Sequence, residues 1–305
     1  KYKYPIAVAG THGKTTTSSM LSLVLLAAHK DPTILIGGEL SQIGGNYHIG
    51  GNEYLPFEAC EYVESFLHFK PFVSIITNIE EDHLDYFKDL NHIITSFVKF
   101  ASLTSDNGCN IVCIDENTTQ SIVQNVKKKA VTYALNNKNA DYTAENITLE
   151  KNGCPTFDIF NKDRKVLSVS LNVAGDHNIC NALGVTAACE FLGIEPEYIK
   201  SGLEEFRGAK RRFDRLGKTE TGVDVVDDYA HHPTEIKTTL ETAKKMGYNN
   251  VWVAFQPHTY TRTAAFLEQF ASALKTADRV MITDIYPARE KYDGTMHACD
   301  LARLI

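Results

Sequence analysis

The feature that most constrains this chain is a short apolar run that leads through a glycine-containing loop into a helix signal near its start. Residues 6–9 are small or apolar and predict a buried strand, and residues 15–28 predict a helix. The loop between them is Gly10-Thr11-His12-Gly13-Lys14. Glycines let a backbone wrap closely around a phosphate, and the following helix directs its free N–H groups at the anion. The stretch therefore predicts a phosphate-binding loop at the start of an α/β domain.

In such a loop the lysine contacts the β- and γ-phosphates, and the next hydroxyl side chain binds Mg²⁺. Lys14 and Thr15 stand at those positions. The usual pattern has a further glycine where this chain has Val8, so the loop is a shortened variant. A Gly-Lys-Thr turn that only begins a helix is the alternative interpretation.

The N-terminal region alternates predicted strands with predicted helices, which favours parallel βαβ units. Ligands of such sheets bind at the carboxyl ends of the strands, where the phosphate loop lies. Between residues 141 and 173 the pattern changes to strands with turn signals, which predicts a small antiparallel section. A basic, glycine-containing segment at 207–213 has the character of a hinge, and a second α/β region follows it. The predicted strands are 32–38, 54–60, 71–77, 110–114, 223–226, 251–255 and 279–283, and the later predicted helices are 93–101, 178–191, 197–206, 234–246 and 263–276.

Composition limits the partners and the location. A formal net charge of -7 without a large basic patch gives no reason to expect nucleic acid. The 7 cysteines are scattered without a CxxC pair, which is typical of free thiols in a reducing cytoplasm, and Cys109 and Cys113 are expected to be buried. The apolar run at 20–28 is too short to span a bilayer, so no membrane partner is expected. The length of 305 residues favours two domains, and both ends suggest a piece of a larger protein.

Carboxylates follow two of the predicted strands. Glu58 ends one strand, and a carboxylate there can hold Mg²⁺ together with the Thr15 hydroxyl and phosphate oxygens, or can be a plain surface acid. The segment Glu80-Glu81-Asp82-His83 follows a β-branched run. Three acids and a histidine on one loop fit a cation site or a helix start with solvated acids, and the residues alone leave both open.

Three further polar stretches are candidates for binding. The segment Gly175-Asp176-His177-Asn178-Ile179-Cys180-Asn181 precedes a helix and fits either helix capping or recognition of a purine edge. The segment Asp227-Asp228-Tyr229-Ala230-His231-His232-Pro233-Thr234-Glu235 follows a predicted strand, and two adjacent histidines beside acids and a tyrosine are unusual as packing alone. The segment Gln256-Pro257-His258-Thr259-Tyr260-Thr261-Arg262 ends another strand, and its arginine fits either an anion-binding role or a solvated loop.

Taken together, these stretches resemble the Mur ligase family. The resemblance also rests on Thr77-Asn78-Ile79-Glu80-Glu81-Asp82-His83-Leu84-Asp85, on Arg211-Arg212-Phe213 and on the segment 255–263. It implies a central phosphate-loop ATPase domain over residues 1–210, with a mostly parallel sheet and a small antiparallel section. An incomplete, Rossmann-like C-terminal domain follows over 211–305, and the family's N-terminal UDP-binding domain is absent. Several relatives have Glu-Ala-Asp-Glu-Ser where this chain has Glu58-Ala59-Cys60-Glu61-Tyr62.

The activity that the resemblance implies is ATP-dependent amide formation in peptidoglycan precursor synthesis, with ATP and Mg²⁺ as cofactors. UDP-N-acetylmuramate and L-alanine are the implied substrates, joined through an acyl phosphate. The implied nucleotide-binding residues are Gly10, Thr11, His12, Gly13, Lys14, Thr15 and Thr16, with His177 and Asn181 at the adenine. The implied metal ligands are Thr15 and Glu58 for one Mg²⁺ and His83 for a second, near the γ-phosphate and the substrate carboxylate. The implied catalytic residues are Lys14, Glu58, His83, His231 and Arg262, and the implied substrate-binding residues are Tyr229, His231, His258 and Arg262.

Three alternatives stay open. One is a family member that attaches a ready-made tripeptide to the same sugar. Another is a phosphate-loop kinase or GTPase, against which the second α/β region and its paired histidines argue. The third is a nucleotide-binding module without turnover, and the chain alone is expected to ligate weakly or not at all.

Overall fold

The computed structural model describes residues 2–292 and 294–305. In them, a larger part runs from β1 (Tyr4–Ala9) to α5 (Pro196–Glu205), and a smaller part runs from β11 (Asp214–Lys218) to α9 (Ala298–Leu304). The larger part is built on a 10-stranded sheet, and the smaller part has two 2-stranded sheets among its described residues.

The large sheet is parallel at its centre and antiparallel at both edges, with strand order β10-β9-β8-β7-β6-β5-β1-β4-β2-β3. Strand β1 pairs in parallel with β4 and with β5, so the loop at residues 10–14, predicted to bind phosphate, leaves the middle of the sheet. The predicted parallel fold with an antiparallel section is confirmed, and the antiparallel strands continue the same sheet. The remaining strands of this sheet are β2 (Ile34–Leu40), β3 (Gly45–His48), β4 (Tyr54–Glu58), β5 (Val73–Ile76), β6 (Cys109–Cys113), β7 (Ala130–Tyr133), β8 (Tyr142–Leu149), β9 (Pro155–Asn161) and β10 (Arg164–Ser170).

Helices cover both faces of this sheet, which explains why its β-branched central strands are buried throughout. Helices α1 (Lys14–Ala27) and α4 (Asp176–Phe191) cover one face together with α5. Helices α2 (Leu90–Ser102) and α3 (Asn117–Asn125) cover the other. Cys109 and Cys113 are buried in β6, as predicted. None of the helices in the described part of the chain is long and apolar enough to cross a bilayer.

The smaller part has its own core around α6 (Pro233–Lys245) and α8 (Leu267–Leu274), with Phe270 and Leu274 fully buried. Strand β13 (Trp252–Phe255) pairs in parallel with β14 (Arg279–Ile282). The predicted strand at 223–226 is β12 (Asp224–Asp227), which pairs with β11 in an antiparallel hairpin and not with β13.

The prediction of one continuous helix over 263–276 is wrong. The segment consists of α7 (Tyr260–Ala265) and α8, which meet at Phe266. Phe266 has φ of -115°, outside the helical region, and its buried ring lies 5.0 Å from the ring of His232. The break thus coincides with a tertiary contact that helical periodicity alone does not reveal.

Candidate functional site

The loop at residues 10–14 is held by the two residues that follow β5. Asn78 Oδ1 accepts a hydrogen bond from the His12 N–H at 2.8 Å, and the Thr77 hydroxyl donates to the His12 carbonyl at 2.6 Å. Gly10 has φ of +145°, and a Cβ there would lie 1.9 Å from the Thr77 hydroxyl oxygen. Conformation and space therefore both require glycine at this position.

The ammonium group of Lys14 is paired with a carboxylate that the sequence did not assign a role. Lys14 Nζ lies 3.1 and 3.0 Å from the two carboxylate oxygens of Glu61, and it also donates to the carbonyls of Gly10 and Thr11. Glu61 is only 3% exposed. Burial opposes the charge on Lys14, but the Glu61 carboxylate outweighs it, and the pKa of Lys14 is raised. A positive charge is therefore fixed at the loop of residues 10–14.

Glu58, the last residue of β4, is linked through Ser18 to the first turn of α1 and the predicted metal-binding Thr15. The Ser18 hydroxyl donates to the Thr15 carbonyl at 3.1 Å and lies 3.3 Å from Glu58 Oε1, which also accepts from the Gly37 N–H. A carboxylate and a threonine hydroxyl are the hard oxygen donors that Mg²⁺ prefers next to phosphate. The chemistry of Thr15 and Glu58 therefore fits a magnesium ion.

His83 lies on the other side of Lys14, among acids. Its Nε2 is 3.7 Å from Asp82 Oδ2 and 3.9 Å from Glu61 Oε1. Burial lowers the pKa of His83 in spite of these two carboxylates. A neutral imidazole keeps a lone pair for a metal, so His83 fits the second metal-binding role predicted for it. The described contacts of Glu58 do not include His83.

The side chain of Arg262, in the smaller part, contacts Asp82 in the loop between β5 and α2. Its Nη2 and Nε lie 2.8 and 3.1 Å from Asp82 Oδ1, and both side chains are largely buried. Burial would raise the pKa of Asp82, but the Arg262 charge outweighs it and holds that pKa at about 2. The pair joins the two parts of the chain beside His83.

The four residues predicted to bind substrate contact one another in a row that ends at the Asp82–Arg262 pair. Arg262 Nη1 donates to His258 Nδ1 at 3.2 Å, and the rings of His258 and His231 are 5.9 Å apart. His231 Nδ1 lies 2.8 Å from the Tyr229 carbonyl oxygen. Four residues from two segments of the smaller part, one after β12 and one after β13, therefore line up toward Asp82.

A second contact between the two parts surrounds His12. Its Nδ1 lies 3.1 Å from Glu235 Oε1, and its Nε2 lies 3.6 Å from Glu80 Oε2. Burial opposes protonation, but the two carboxylates outweigh it and raise the pKa of His12 to about 9. His232 Nδ1 is 3.8 Å from the same oxygen of Glu80. The atoms of His12, Glu80 and His232 also lie close enough together to hold a metal ion.

A cavity of about 660 Å³ opens from the loop of residues 10–14 toward α4. His12, Gly13, Thr15 and Thr16 line one side, and His177 and Asn181 line the other. Asn181 Oδ1 lies 2.9 Å from where a Cβ of Gly13 would stand. The His177 side chain is exposed at this cavity, where its ring nitrogens can exchange hydrogen bonds with a base.

The predicted site residues thus fall into two adjoining groups. No individual role was assigned from the sequence to the acids that pair with them. Glu61 and Glu235 stood in quoted motifs without a role, and Asp82 was named only as one acid of a dense group. Their contacts to Lys14, His12 and Arg262 depend on chain folding and leave no local signal. The group at the ammonium of Lys14 contains His83, Arg262, His258, His231 and Tyr229, and the group at the cavity contains His12, Gly13, Thr15, Thr16, His177 and Asn181.

The sequence pattern of the Mur ligase middle domain matches residues 8–189 of this chain. The chain belongs to the Mur ligase family. The pattern described as the Mur ligase, glutamate ligase domain matches residues 211–305.

Individual Mur ligases extend the similarity over the whole chain. The chain is 51% identical over 305 residues to the UDP-N-acetylmuramate--L-alanine ligase of Acetivibrio thermocellus and 46% identical to that of Caldanaerobacter subterraneus. It covers 65% and 66% of these relatives, so it spans about two thirds of their length.

Solved Mur ligase structures have the same fold. The UDP-N-acetylmuramate-alanine ligase of Thermotoga maritima matches with a TM-score of 0.78 and 34% identity, over 93% of this chain and 62% of that one. A murein peptide ligase from Psychrobacter arcticus matches with a TM-score of 0.69 and 28% identity, over 92% of this chain and 63% of that one.

Proposed function

We propose that this chain forms the ATP-binding and amino-acid-binding parts of an enzyme that couples L-alanine to UDP-N-acetylmuramate. The observation that carries the proposal is the position of Lys14, which lies in a glycine-bounded loop at the centre of the sheet. Its partner Glu61 lies 3.9 Å from His83, which in turn lies beside the Asp82–Arg262 pair that joins the two parts. The identity of 46–51% to relatives with that name supports the choice of substrates. A cytoplasmic location belongs to the same proposal.

The reaction needs an activated acid, because a carboxylate has no adequate leaving group for attack by an amine. Transfer of the γ-phosphoryl group to the carboxylate oxygen forms an acyl phosphate. The amine of L-alanine then attacks the acyl carbon, phosphate leaves, and an amide and ADP remain. Such a reaction depends mostly on placement of the reactants and on neutralisation of phosphate charge.

Lys14 supplies charge at the transferring phosphoryl group, because its pKa is raised and its Nζ is fixed by the loop carbonyls. Thr15 and Glu58 would hold one Mg²⁺ and His83 a second, and these ions when bound neutralise phosphate oxygens. Arg262 stands where a second cation can meet the phosphoryl group or the substrate carboxylate. These roles require no movement of the sheet. Ligand oxygens have only to replace the carboxylate of Glu61 at Lys14 and that of Asp82 at Arg262.

The amino acid belongs, in this proposal, beside His231, His258 and Tyr229. These groups present aromatic rings and imidazole nitrogens next to the arginine, a surface suited to a small zwitterion. The Arg211 guanidinium lies over the Tyr229 ring, 4.6 Å from its centre, and thereby joins the segment at 207–213 to this surface. That segment therefore remains our candidate for the hinge between the two parts.

A ligase that transfers a tripeptide is the second candidate, because the murein peptide ligase of Psychrobacter arcticus shares the fold at 28% identity. The higher identity to L-alanine ligases favours the first. Comparison of L-alanine with a tripeptide as amine donor, by phosphate release in the presence of the sugar nucleotide, separates the two.

The binding site itself is tested by titration of this chain with ATP and Mg²⁺. Lys14→Met keeps the aliphatic stem but removes the charge, and we expect it to weaken ATP binding at least about tenfold, the loss of one charge-assisted contact. Lys210→Met is the matched control, since Lys210 borders the same cavity but pairs with exposed Glu39. Equal affinity of Lys14→Met and the unchanged chain, with melting curves that show both folded, would refute the assignment.

A further inference from the structure

Two cysteine thiols and a carboxylate converge outside the groups described above. Cys113 is the last residue of β6, and Cys180 lies in the first half of α4. Their sulfurs are 3.6 Å apart, and Asp115 Oδ2 lies 3.9 Å from Cys113 Sγ and 4.0 Å from Cys180 Sγ. We propose that Cys113, Cys180 and Asp115 form a binding site for a soft divalent cation of the Zn²⁺ type.

The spacing of the three atoms matches the geometry of a tetrahedral zinc ion. Zinc–sulfur bonds of about 2.3 Å and zinc–oxygen bonds of about 2.1 Å place two sulfurs about 3.8 Å apart and each sulfur about 3.6 Å from the oxygen. The observed separations differ from these by a few tenths of an ångström. Small side-chain rotations bring all three atoms to one ion, without movement of β6 or α4.

The carboxylate of Asp115 is already oriented for this role. Oδ1 accepts hydrogen bonds from the N–H groups of Asn136 and Asn137, and Oδ2 accepts one from the N–H of Leu135. A carboxylate has about four lone-pair sites, so these three bonds leave one site open on Oδ2. That oxygen is also the one nearest both sulfurs.

The site is reachable, and its donors select the metal. Cys113 is buried, but Cys180 and Asp115 are both partly exposed, so an ion can approach from that side. Two thiolates favour zinc or another soft ion over magnesium, which prefers oxygen donors only. The chain would therefore hold a soft ion here and a hard ion beside Thr15 and Glu58.

Metal binding at this site exchanges protons for metal bonds. The Cys113 sulfur and burial both raise the pKa of the Cys180 thiol, so the unbound thiol is protonated. When the ion enters, two metal–sulfur bonds form, two S–H bonds break and two protons leave to solvent. No electron transfer takes place, so the step needs no oxidant.

The test uses the reduced chain in a thiol-free reductant, with excess Mg²⁺, titrated with Co²⁺ as a spectroscopic substitute for zinc. We expect one equivalent to produce a thiolate-to-cobalt charge-transfer band that Zn²⁺ abolishes. Cys113→Ser and Cys180→Ser should each lose the band. Cys60→Ser, at an exposed thiol, and Cys189→Ala, at a buried thiol on the same helix, should keep it. Absence of the band in the unchanged chain, or its persistence in both serine variants, would overturn the proposal.

A second measurement needs no variant. Zn²⁺ should slow the alkylation of Cys180 in the folded chain at least about tenfold, since a bound thiolate is a poor nucleophile, and should leave the rate at exposed Cys60 unchanged. Mass spectrometry of the two peptides reports both rates. Equal rates at Cys180 with and without Zn²⁺ would contradict the site, and so would a Cys113–Cys180 disulfide formed in place of metal binding.

Discussion

Lys14 Nζ lies between the two carboxylate oxygens of Glu61, at 3.1 and 3.0 Å, although 46 residues separate them along the chain. The ammonium group that would receive phosphate is thus already neutralised by a buried acid. A triphosphate that enters the loop has to compete with that carboxylate for the same donor. We therefore expect Glu61 to lower the affinity of the loop for anions while it keeps Lys14 charged and in place.

The Glu61→Gln variant tests this competition. It removes the negative charge but keeps the size of the side chain, so we expect several-fold tighter binding of ATP in the absence of metal, with a free energy of unfolding reduced by about 1–3 kcal/mol. Calorimetric titration and denaturant unfolding measure the two effects. Weaker binding of ATP by Glu61→Gln would show that Glu61 organises the loop and does not compete with the ligand.

The Asp82–Arg262 pair predicts strong coupling between the two parts of the chain. Breaking a largely buried pair leaves one charge without its partner, so Arg262→Met should reduce the free energy of unfolding by about 3 kcal/mol. The double variant Asp82→Asn/Arg262→Met should lose less than the sum of the two single variants, since neither charge is left alone. Denaturant unfolding of the unchanged chain, the two single variants and the double variant completes a double-mutant cycle. Strictly additive losses of unfolding free energy would exclude a direct interaction between Asp82 and Arg262.

Much of the fold could be predicted because its signals are local. The β-branched run at Val73–Ile76, the loop glycines and the cap signals each act within a few residues, and the parallel sheet follows from their alternation. The break at Phe266 could not be predicted, because the ring of His232 that meets it is far away in sequence. Strand β3 formed in a glycine-rich stretch, where pairing with β2 outweighs poor strand propensity.

The candidate site divides in the same way, into features with local sequence signals and contacts between residues far apart in sequence. The sequence placed Lys14 and Thr15 in a loop because a strand, glycines and a helix surround them. It could not pair Lys14 with Glu61 or Arg262 with Asp82, because those contacts depend on the path of the chain between distant loops. The roles of the predicted ligands remain predictions, which the titration of Lys14→Met addresses first.

Gly202→Ala should destabilise the larger part where α1 and α5 meet. A Cβ at Gly202 would lie 2.4 Å from Val24 Cα and 2.5 Å from Val24 N, which are backbone atoms of the neighbouring helix. The helices must separate to accept it, so we expect a loss of about 2 kcal/mol in the free energy of unfolding. Gly45→Ala is the control, because nothing lies within 4 Å of its Cβ position. Equal stability of the two variants would contradict this account.

The raised pKa of His12 predicts that its contact with Glu235 and Glu80 weakens at alkaline pH. Its pKa is about 9 in the folded chain and about 6.5 in an unfolded one. A raised folded pKa contributes stability that is fully present below pH 6.5 and lost as pH rises through 9. The difference corresponds to about 3 kcal/mol below pH 6.5. His12→Gln should therefore cost much more stability at pH 6 than at pH 10.

Denaturant unfolding at the two pH values measures this loss directly. The control is His68→Gln at an exposed ring, which we expect to leave the free energy of unfolding unchanged at both pH values. Because Glu235 belongs to the smaller part, the weakened contact should also loosen that part from the phosphate loop at pH 10. If His12→Gln loses the same free energy at pH 6 and at pH 10, the proton on His12 does not stabilise the contact between the two parts.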